Sequence, residues 1–260
     1  MGIVAADAAT RGATAPAAGA DAQGLLLEFV ASDGSVQRGP LASTWQVKFE
    51  TRAPVRVVRS LKGQRNFSGW WWSATTGGHV GFESWLEREH LMLLDRDPSV
   101  VGISSQPFWL HWTGVGGTQR RHAPDYFARR RDGSGLVVDV RPDGRIGPRD
   151  AEAFAITATA CEQVGWGYRR VGAVDPMMAA NVRWLAGYRH PRCYHGERAD
   201  ALRCVFTSGR PFGDGVAEVG DPIGVRPVAF HLLWAGALNV DLGRRLTDAS
   251  VVTTSGRGVR

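Results

Sequence analysis

Three acidic positions and one cation in this chain have the types and spacing of a hydrolytic metal centre. Asp125 follows Pro124, Asp139 and Arg141 alternate at the end of the apolar run 136–141, and Glu87 sits in a helix-like stretch. Carboxylate oxygens are the ligands that a hard cation such as Mg2+ (or Mn2+) prefers, and Mg2+ keeps several of its waters. Held at a phosphodiester, such an ion would polarise a phosphoryl oxygen and activate a water. A nearby cation would offset the negative charge that grows at phosphorus. The expected catalytic set is Glu87, Asp125, Asp139 and Arg141, with Glu87, Asp125 and Asp139 as metal ligands.

The elements that must position these groups follow from the apolar pattern. In a strand over 136–141, Leu136, Val138 and Val140 share one face, and Val137, Asp139 and Arg141 share the other. His122 to Arg131 reads as the other arm of a hairpin that turns at Asp132-Gly133-Ser134-Gly135. A three-residue loop over 132–134, with Gly135 as a bulge, sets Asp125 across from Arg141 and on the face of Asp139. An even loop would turn Asp125 to the opposite face.

Phe82 to Leu94 is the clearest helix, stopped before Asp97-Pro98. Relative to Glu87, Leu91 falls at about +40° and Leu94 at about −20°, at roughly 100° per residue. Arg88 and Asp95 fall near about +90°, and Glu89 and Arg96 near about 190°, so these charges are expected on the solvent side. Glu87 is thus expected on an apolar stripe. A carboxylate there is costly unless it is paired or bound to a metal, and a buried ion pair is the structural alternative.

The remaining pattern sets the fold class. Residues 24–60 hold short strand-like pieces, and 61–80 form a connection rich in Gly, Ser, Trp and Thr. Val100 to Leu110 is extended, with Gln106-Pro107 inside it. Ala151 to Gln163 reads as a helix, Trp166 to Val171 as a strand and Pro176 to Tyr188 as a helix. That order predicts an α/β or α+β core with a mixed central sheet flanked by helices. Beyond 190, Arg198–Phe206 and Val228–Leu238 read as helices and Asp241–Leu246 as a short basic helix. Ser208–Gly224 reads as a loop and Ala249–Thr253 as a strand. This predicts a small helical or winged-helix-like C-terminal module over 191–260.

Composition narrows the class. The 260 residues carry 31 Lys+Arg against 25 Asp+Glu, a net of +6, and Lys48 and Lys62 are the only lysines. Arginine forks suit a polyanionic partner, although arginine-rich coding gives the same bias. Cys161, Cys193 and Cys204 offer neither a short metal-binding pair nor a disulfide framework. No apolar run reaches the roughly 18 residues of a membrane span. Residues 1–23 have no basic and apolar leader pattern and read as a disordered tail, which makes the expected location cytoplasmic.

The run from Glu83 to Gln106, followed by "HAPDYF" and "VVDVRP", resembles the TnsA-type nuclease domain of heteromeric transposases, within the PD-(D/E)xK class. The likeness covers about residues 80–190. In that family a helix glutamate lies in an S-x-L-E-like segment and precedes a Gln-Pro or Gln-Phe segment, which falls on Glu87 and Gln106. The family's aspartate before an aromatic falls on Asp125, and its acid-x-Lys tripeptide on Asp139-Val140-Arg141. The resemblance implies a restriction-endonuclease-like core over 24–190 and a partner-binding C-terminal domain over 191–260. It also implies Mg2+-dependent hydrolysis at the 5′ ends of a mobile element. The implied partners are double-stranded DNA at the transposon ends, a DDE transposase similar to TnsB and an ATP-dependent regulator similar to TnsC. Arg141 departs from the family's lysine: it stays protonated and can clamp phosphate but cannot trade a proton. Lys62 is a candidate to fill the lysine's role.

Other positions have weaker claims. Gln106, His122 and the basic run Arg129, Arg130 and Arg131 are candidate DNA contacts beside the site, and His122 also reads as a structural strand-edge histidine. His190, Arg192, Cys193 and His195 fit no standard zinc spacing and read as a loop. Arg244 and Arg245 read as a helix end or a partner-facing patch.

Overall fold

The computed structural model describes residues 24–56 and 67–255. The expected tail over 1–23 and Lys62 lie outside the described residues. In chain order the strands and helices are β1 (Leu26–Val30), β2 (Val36–Pro40), α1 (Leu41–Thr44), β3 (Gly69–Trp72), β4 (His79–Phe82), α2 (Trp85–Arg96) and β5 (Val100–Ser105). There follow β6 (Trp109–Thr113), β7 (Gln119–His122), β8 (Tyr126–Arg130), β9 (Gly135–Val140), α3 (Pro148–Gln163) and β10 (Gly167–Val171). The chain continues through α4 (Pro176–Leu185), α5 (Gly196–Val205), β11 (Arg210–Pro211), α6 (Phe212–Val219), α7 (Pro222–Trp234), β12 (Leu238–Asn239) and β13 (Val251–Thr254). The fold is mixed α/β, with several sheets and seven helices among the described residues.

The sheet that matters for the site runs β10-β9-β8-β5. β5 and β8 are antiparallel, β8 and β9 are antiparallel, and β9 and β10 are parallel. A parallel neighbour needs a crossover, and α3 supplies it. Alternation then divides the core. Leu136, Val138, Tyr126 and Ala128 join Leu91 and Met92 of α2 in one buried cluster. Val137 and Phe127 join Phe49, Phe108, Ala160, Cys161 and Trp166 in the other, on the α3 face.

The hairpin turns one residue earlier than expected. Arg130 N–H donates to Ser134 O at 2.9 Å, so Arg131-Asp132-Gly133 is the loop, and Gly133 takes a φ of 86° that favours glycine. The register pairs Tyr126 with Val138, and continuing it by one sets Asp125 level with Asp139, not with Arg141. The loop still has an odd number of residues, so Asp125 keeps the expected parity. Gly135 is no bulge, because it pairs with Arg129. It is glycine for a packing reason. A Cβ there would stand 2.7 Å from Cδ1 of Trp166 and 2.9 Å from two ring atoms of Phe127. Gly135→Ala is expected to cost about 1–3 kcal/mol by overpacking, read as a lowered midpoint in urea. An unchanged midpoint would show that the two rings move aside freely.

The first cluster does not stop at residue 190. It takes in Val182 and Leu185 of α4, Leu202 and Phe206, Phe212 and Val216 of α6, Leu233 and Trp234 of α7, and Val252 of β13. Trp71 and Trp234 lie with ring centroids 6.4 Å apart. Residues 191–255 therefore share their core with α2 rather than owning a separate one. The expected loop over 208–224 contains α6, whose Phe212, Val216 and Val219 repeat at helical spacing. Gly213 and Gly215 hid that helix. Gly215 is required because a Cβ would meet the Phe206 ring at 2.4 Å. The expected helix over 241–246 is instead a turn. The Asn181 amide donates to the Leu242 and Arg244 carbonyls at 2.8 and 2.7 Å, which fixes those groups outside a helix ladder. Among the described residues no helix is long and apolar enough to cross a membrane.

Candidate active site

Asp125 occupies a bend between β7 and β8, and its backbone is fixed by the end of β5. Gln106 N–H donates to the Asp125 carbonyl at 2.9 Å, and the Gln106 carbonyl accepts from Val55 N–H at 2.9 Å. Gln106 is 2% exposed, has a φ of 46°, and its Oε1 has no hydrogen-bond partner among the described residues. A non-glycine residue in that region stores roughly 1–3 kcal/mol of strain and persists only where neighbours over-determine it. Such strain clusters at functional sites. Asp125 itself accepts one hydrogen bond, from Val140 N–H to Oδ2 at 2.7 Å, and its Oδ1 takes none among the described residues.

The electrostatics make Asp125 the centre of the group. Burial first, then the Glu87 carboxylate, then that of Asp139, hold its carboxyl well above the usual range. The Val140 N–H and Arg56 oppose this. Acidic groups from α2, from the start of β8 and from β9 thus act on one another. Tyr126 feels them too, and its buried phenol is pushed up by desolvation and then by Glu87 and Asp125.

Glu87 has a second occupation. Ser84 caps α2: its Oγ accepts from Glu87 N–H at 3.2 Å and donates to Glu87 Oε1 at 2.9 Å. Glu87 Oε2 accepts from Glu83 N–H at 2.7 Å. Both oxygens are therefore engaged at the helix N-terminus, where Ser84 makes its half of a capping box and the carboxylate reaches Glu83 N–H instead of the N-cap N–H. Burial pushes the Glu87 carboxyl up, and these hydrogen bonds pull it back.

Asp139 is 1% exposed. His122 Nε2 lies 2.8 Å from its Oδ1, and the Tyr168 hydroxyl donates to its Oδ2 at 2.9 Å. Tyr168 comes from β10 beside Val137. Burial and then the Asp139 carboxylate push its phenol far up, so it stays a donor. His122 therefore serves Asp139 rather than standing free.

The expected cations lie elsewhere. Arg141 Nη2 bonds Asp150 Oδ2 at 3.0 Å, and its Nε donates to Arg145 O at 3.3 Å, so it is directed to the start of α3. Arg129 binds Glu50 through Nε and Nη2, each at 3.2 Å, and rests on the Phe127 ring. Arg130 and Arg131 lie at the turn end of the hairpin, whereas Asp125 and Asp139 lie at its open end. Five strand residues separate those ends by roughly 16 Å, so the basic run is not beside the site. Arg56, which pairs with Glu83, is the cation that acts on Glu87 and Asp125. No spacing in the sequence marked Arg56 or Tyr168. His190 stacks on Trp72 at 4.8 Å and accepts from Arg192 N–H, as a loop residue would.

Among the described residues, no three His, Cys, Asp or Glu side chains stand together at metal-ligand spacing. The set Glu87, Asp125 and Asp139 is therefore not assembled as a three-ligand cage, because Glu87 and Asp139 are held by their own hydrogen bonds. The donor chemistry still fits a hard cation. Mg2+ commonly takes one or two carboxylates and fills its sphere with waters and phosphate oxygens. The crowding of negative charge on Asp125, whose Oδ1 is uncommitted, is what a divalent cation would relieve. Compared with protein-family models and with curated protein sequences, the chain matches none.

Proposed function

We propose that this chain is a metal-dependent DNA endonuclease of the PD-(D/E)xK class. The observation that carries the reading is the β8–β9 register, which continued by one residue sets Asp125 level with Asp139, with Glu87 of α2 close enough to act on Asp125. The order α2-β5-β8-β9-α3-β10, with antiparallel, antiparallel and parallel neighbours, supports a restriction-endonuclease-like core. The particular member that the motif resemblance favours is a TnsA-type subunit that cuts at the 5′ ends of a mobile element. The same resemblance implies work in the cytoplasm beside a DDE transposase similar to TnsB and an ATP-dependent regulator similar to TnsC.

Asp125 would hold the Mg2+ (or Mn2+), with Asp139 or Glu87 as the second carboxylate. The ion, when bound, supplies Lewis-acid polarisation of the scissile phosphate and a more acidic water. The chain's own groups do the rest. His122 and Tyr168 fix the Asp139 carboxylate, Val140 N–H and Gln106 fix Asp125, and Arg56 offers positive charge to the developing phosphorane. The helix, strand, helix, helix, strand, strand order after residue 195 supports a winged-helix-like module. Seven of the 13 residues of α7 are buried, so that helix serves the core more than a DNA groove.

A second reading, a catalytically weakened DNA-binding subunit, is favoured by the engagement of Arg141 with Asp150. Arg141→Lys separates the two. A lysine can keep the Asp150 pair, so an active wild-type enzyme should change by less than about tenfold, the size of one surface ion pair at most. A silent wild type with cleavage restored in Arg141→Lys would install the second reading.

A further inference from the structure

We propose that an aromatic and arginine-lined cleft beside the N-terminus of α2 binds unpaired nucleotides of a DNA strand. The cleft has a volume of about 510 Å3 and is lined by Phe67, Trp70, Trp72, Trp85, Arg88 and Arg189, among others. Phe67, Trp70 and Trp85 are each more than half exposed. Large aromatic faces left in water together, rather than singly, mark an interaction site.

The walls have the chemistry of a base-stacking platform. Phe67 and Trp85 stack at 4.4 Å with 9° between their planes. Arg88 lies over the Trp85 and Trp71 rings at 5.1 and 5.5 Å. Arg189 lies over Trp71 at 3.9 Å and Trp72 at 5.6 Å, and is anchored by its hydrogen bond to the Trp72 carbonyl at 2.9 Å. Flat rings that accept any base, with guanidinium groups that follow the phosphates, are the means by which proteins hold single strands without reading sequence.

The positive charge is only partly answered. Arg88 makes no ion pair with a carboxylate among the described residues. On top of burial, Arg183 repels Arg88 more than Glu89 attracts it, whereas Arg189 feels the attraction of Asp95 ahead of the repulsion of Arg88. Asp95, the acid that attracts Arg189, is buried and spends its hydrogen bonds on Trp71, Ser73, Ala74 and Thr75. A cluster of cations under aromatic rims calls for an anionic, flat ligand.

The cleft and the carboxylates lie on different faces of one helix. Trp85 and Arg88 line the cleft, while Glu87, in the same helical turn, acts on Asp125. This inference rests on the DNA-cleaving reading for its ligand but not for its test.

The test is binding of a fluorescent 15-mer of deoxythymidine, read by anisotropy in EDTA, where no metal-dependent cutting occurs. Wild type should bind it, and Trp85→Ala and Arg88→Ala should each weaken binding roughly tenfold or more, a typical stacking loss. Trp85→Phe should restore most of the affinity. A blunt duplex of equal length should lose less in the same variants. Melting curves confirm that the variants fold. Wild type without affinity, or Trp85→Ala and Arg88→Ala binding as tightly as wild type, would overturn the proposal. Equal displacement of the oligonucleotide by polyglutamate would also overturn it, since the cleft would then select charge and not bases. Cleavage of duplex DNA with Mg2+ is scored separately, so failure of the cleft leaves the nuclease reading standing and the reverse holds too.

Discussion

Asp125→Asn is expected to melt at a higher temperature than the wild type at pH 7.5 in EDTA, and to lose the stabilisation that Mg2+ gives the wild type. The native carboxyl of Asp125 lies well above its ordinary value because of burial, Glu87 and Asp139. An acid whose folded value is raised contributes stability below its unfolded value, near about 4. That contribution is lost as pH rises through the folded value. At pH 7.5 folding of the wild type therefore works against an acid that the unfolded chain ionises freely, a cost that asparagine lacks, while the asparagine oxygen can still accept from Val140 N–H. The advantage should vanish near pH 4, where the wild-type carboxyl is protonated. A gain of 1 kcal/mol would appear as roughly 2–4 °C for a chain of this size. Metal binding to the native state should raise the wild-type melting temperature by mass action, and the variant much less. Equal melting temperatures at both pH values would mean that the three acids do not crowd one another.

Asp95→Ala should be the most damaging single change to stability, at about 3–5 kcal/mol. Asp95 is 5% exposed and accepts from Trp71 Nε1 at 2.9 Å, Ser73 Oγ at 2.6 Å, Ala74 N–H at 3.1 Å and Thr75 N–H at 2.9 Å. Alanine would leave those donors buried without an acceptor, and would free the β3–β4 turn from α2. The expected readout is a large drop in urea midpoint with an unchanged slope. A loss below about 1 kcal/mol would mean that water replaces the carboxylate.

Asp95 also marks where sequence reasoning ran out. Its angle on α2 put it with the solvent-side charges, yet it is buried, and Arg96 donates to the Leu233 carbonyl at 3.1 Å. A helical wheel knows one helix and one partner. α2 has a sheet on one side and β3, β4, α4 and the C-terminal helices around much of the rest. The Trp70-Trp71-Trp72 run was hidden for a related reason, since among the described residues β3 pairs only with β4 and its partner cannot be seen from composition.

Local signals carried further. The β8–β9 hairpin, α2, α3, β10 and α4 were legible because turn residues bound apolar runs of the right period. The parity of the turn brought Asp125 level with Asp139 even though the loop begins one residue earlier. What a strand residue's far end touches was not legible. Arg141 depends on where α3 starts, and Arg129 on Glu50, 79 residues away. His122 and Tyr168 meet Asp139 only because β7 and β10, 17 and 29 residues away at those positions, both bring a side chain to it.

The most direct measurement is cleavage of an end-containing duplex by the chain with Mg2+ and a DDE transposase of the proposed kind, comparing wild type with Asp125→Ala. The account predicts metal-dependent strand cleavage by wild type and a loss of at least about 100-fold in the variant, as expected when a carboxylate at the reacting centre is removed. Equal cleavage by both proteins, or none by wild type under any divalent metal, would contradict it.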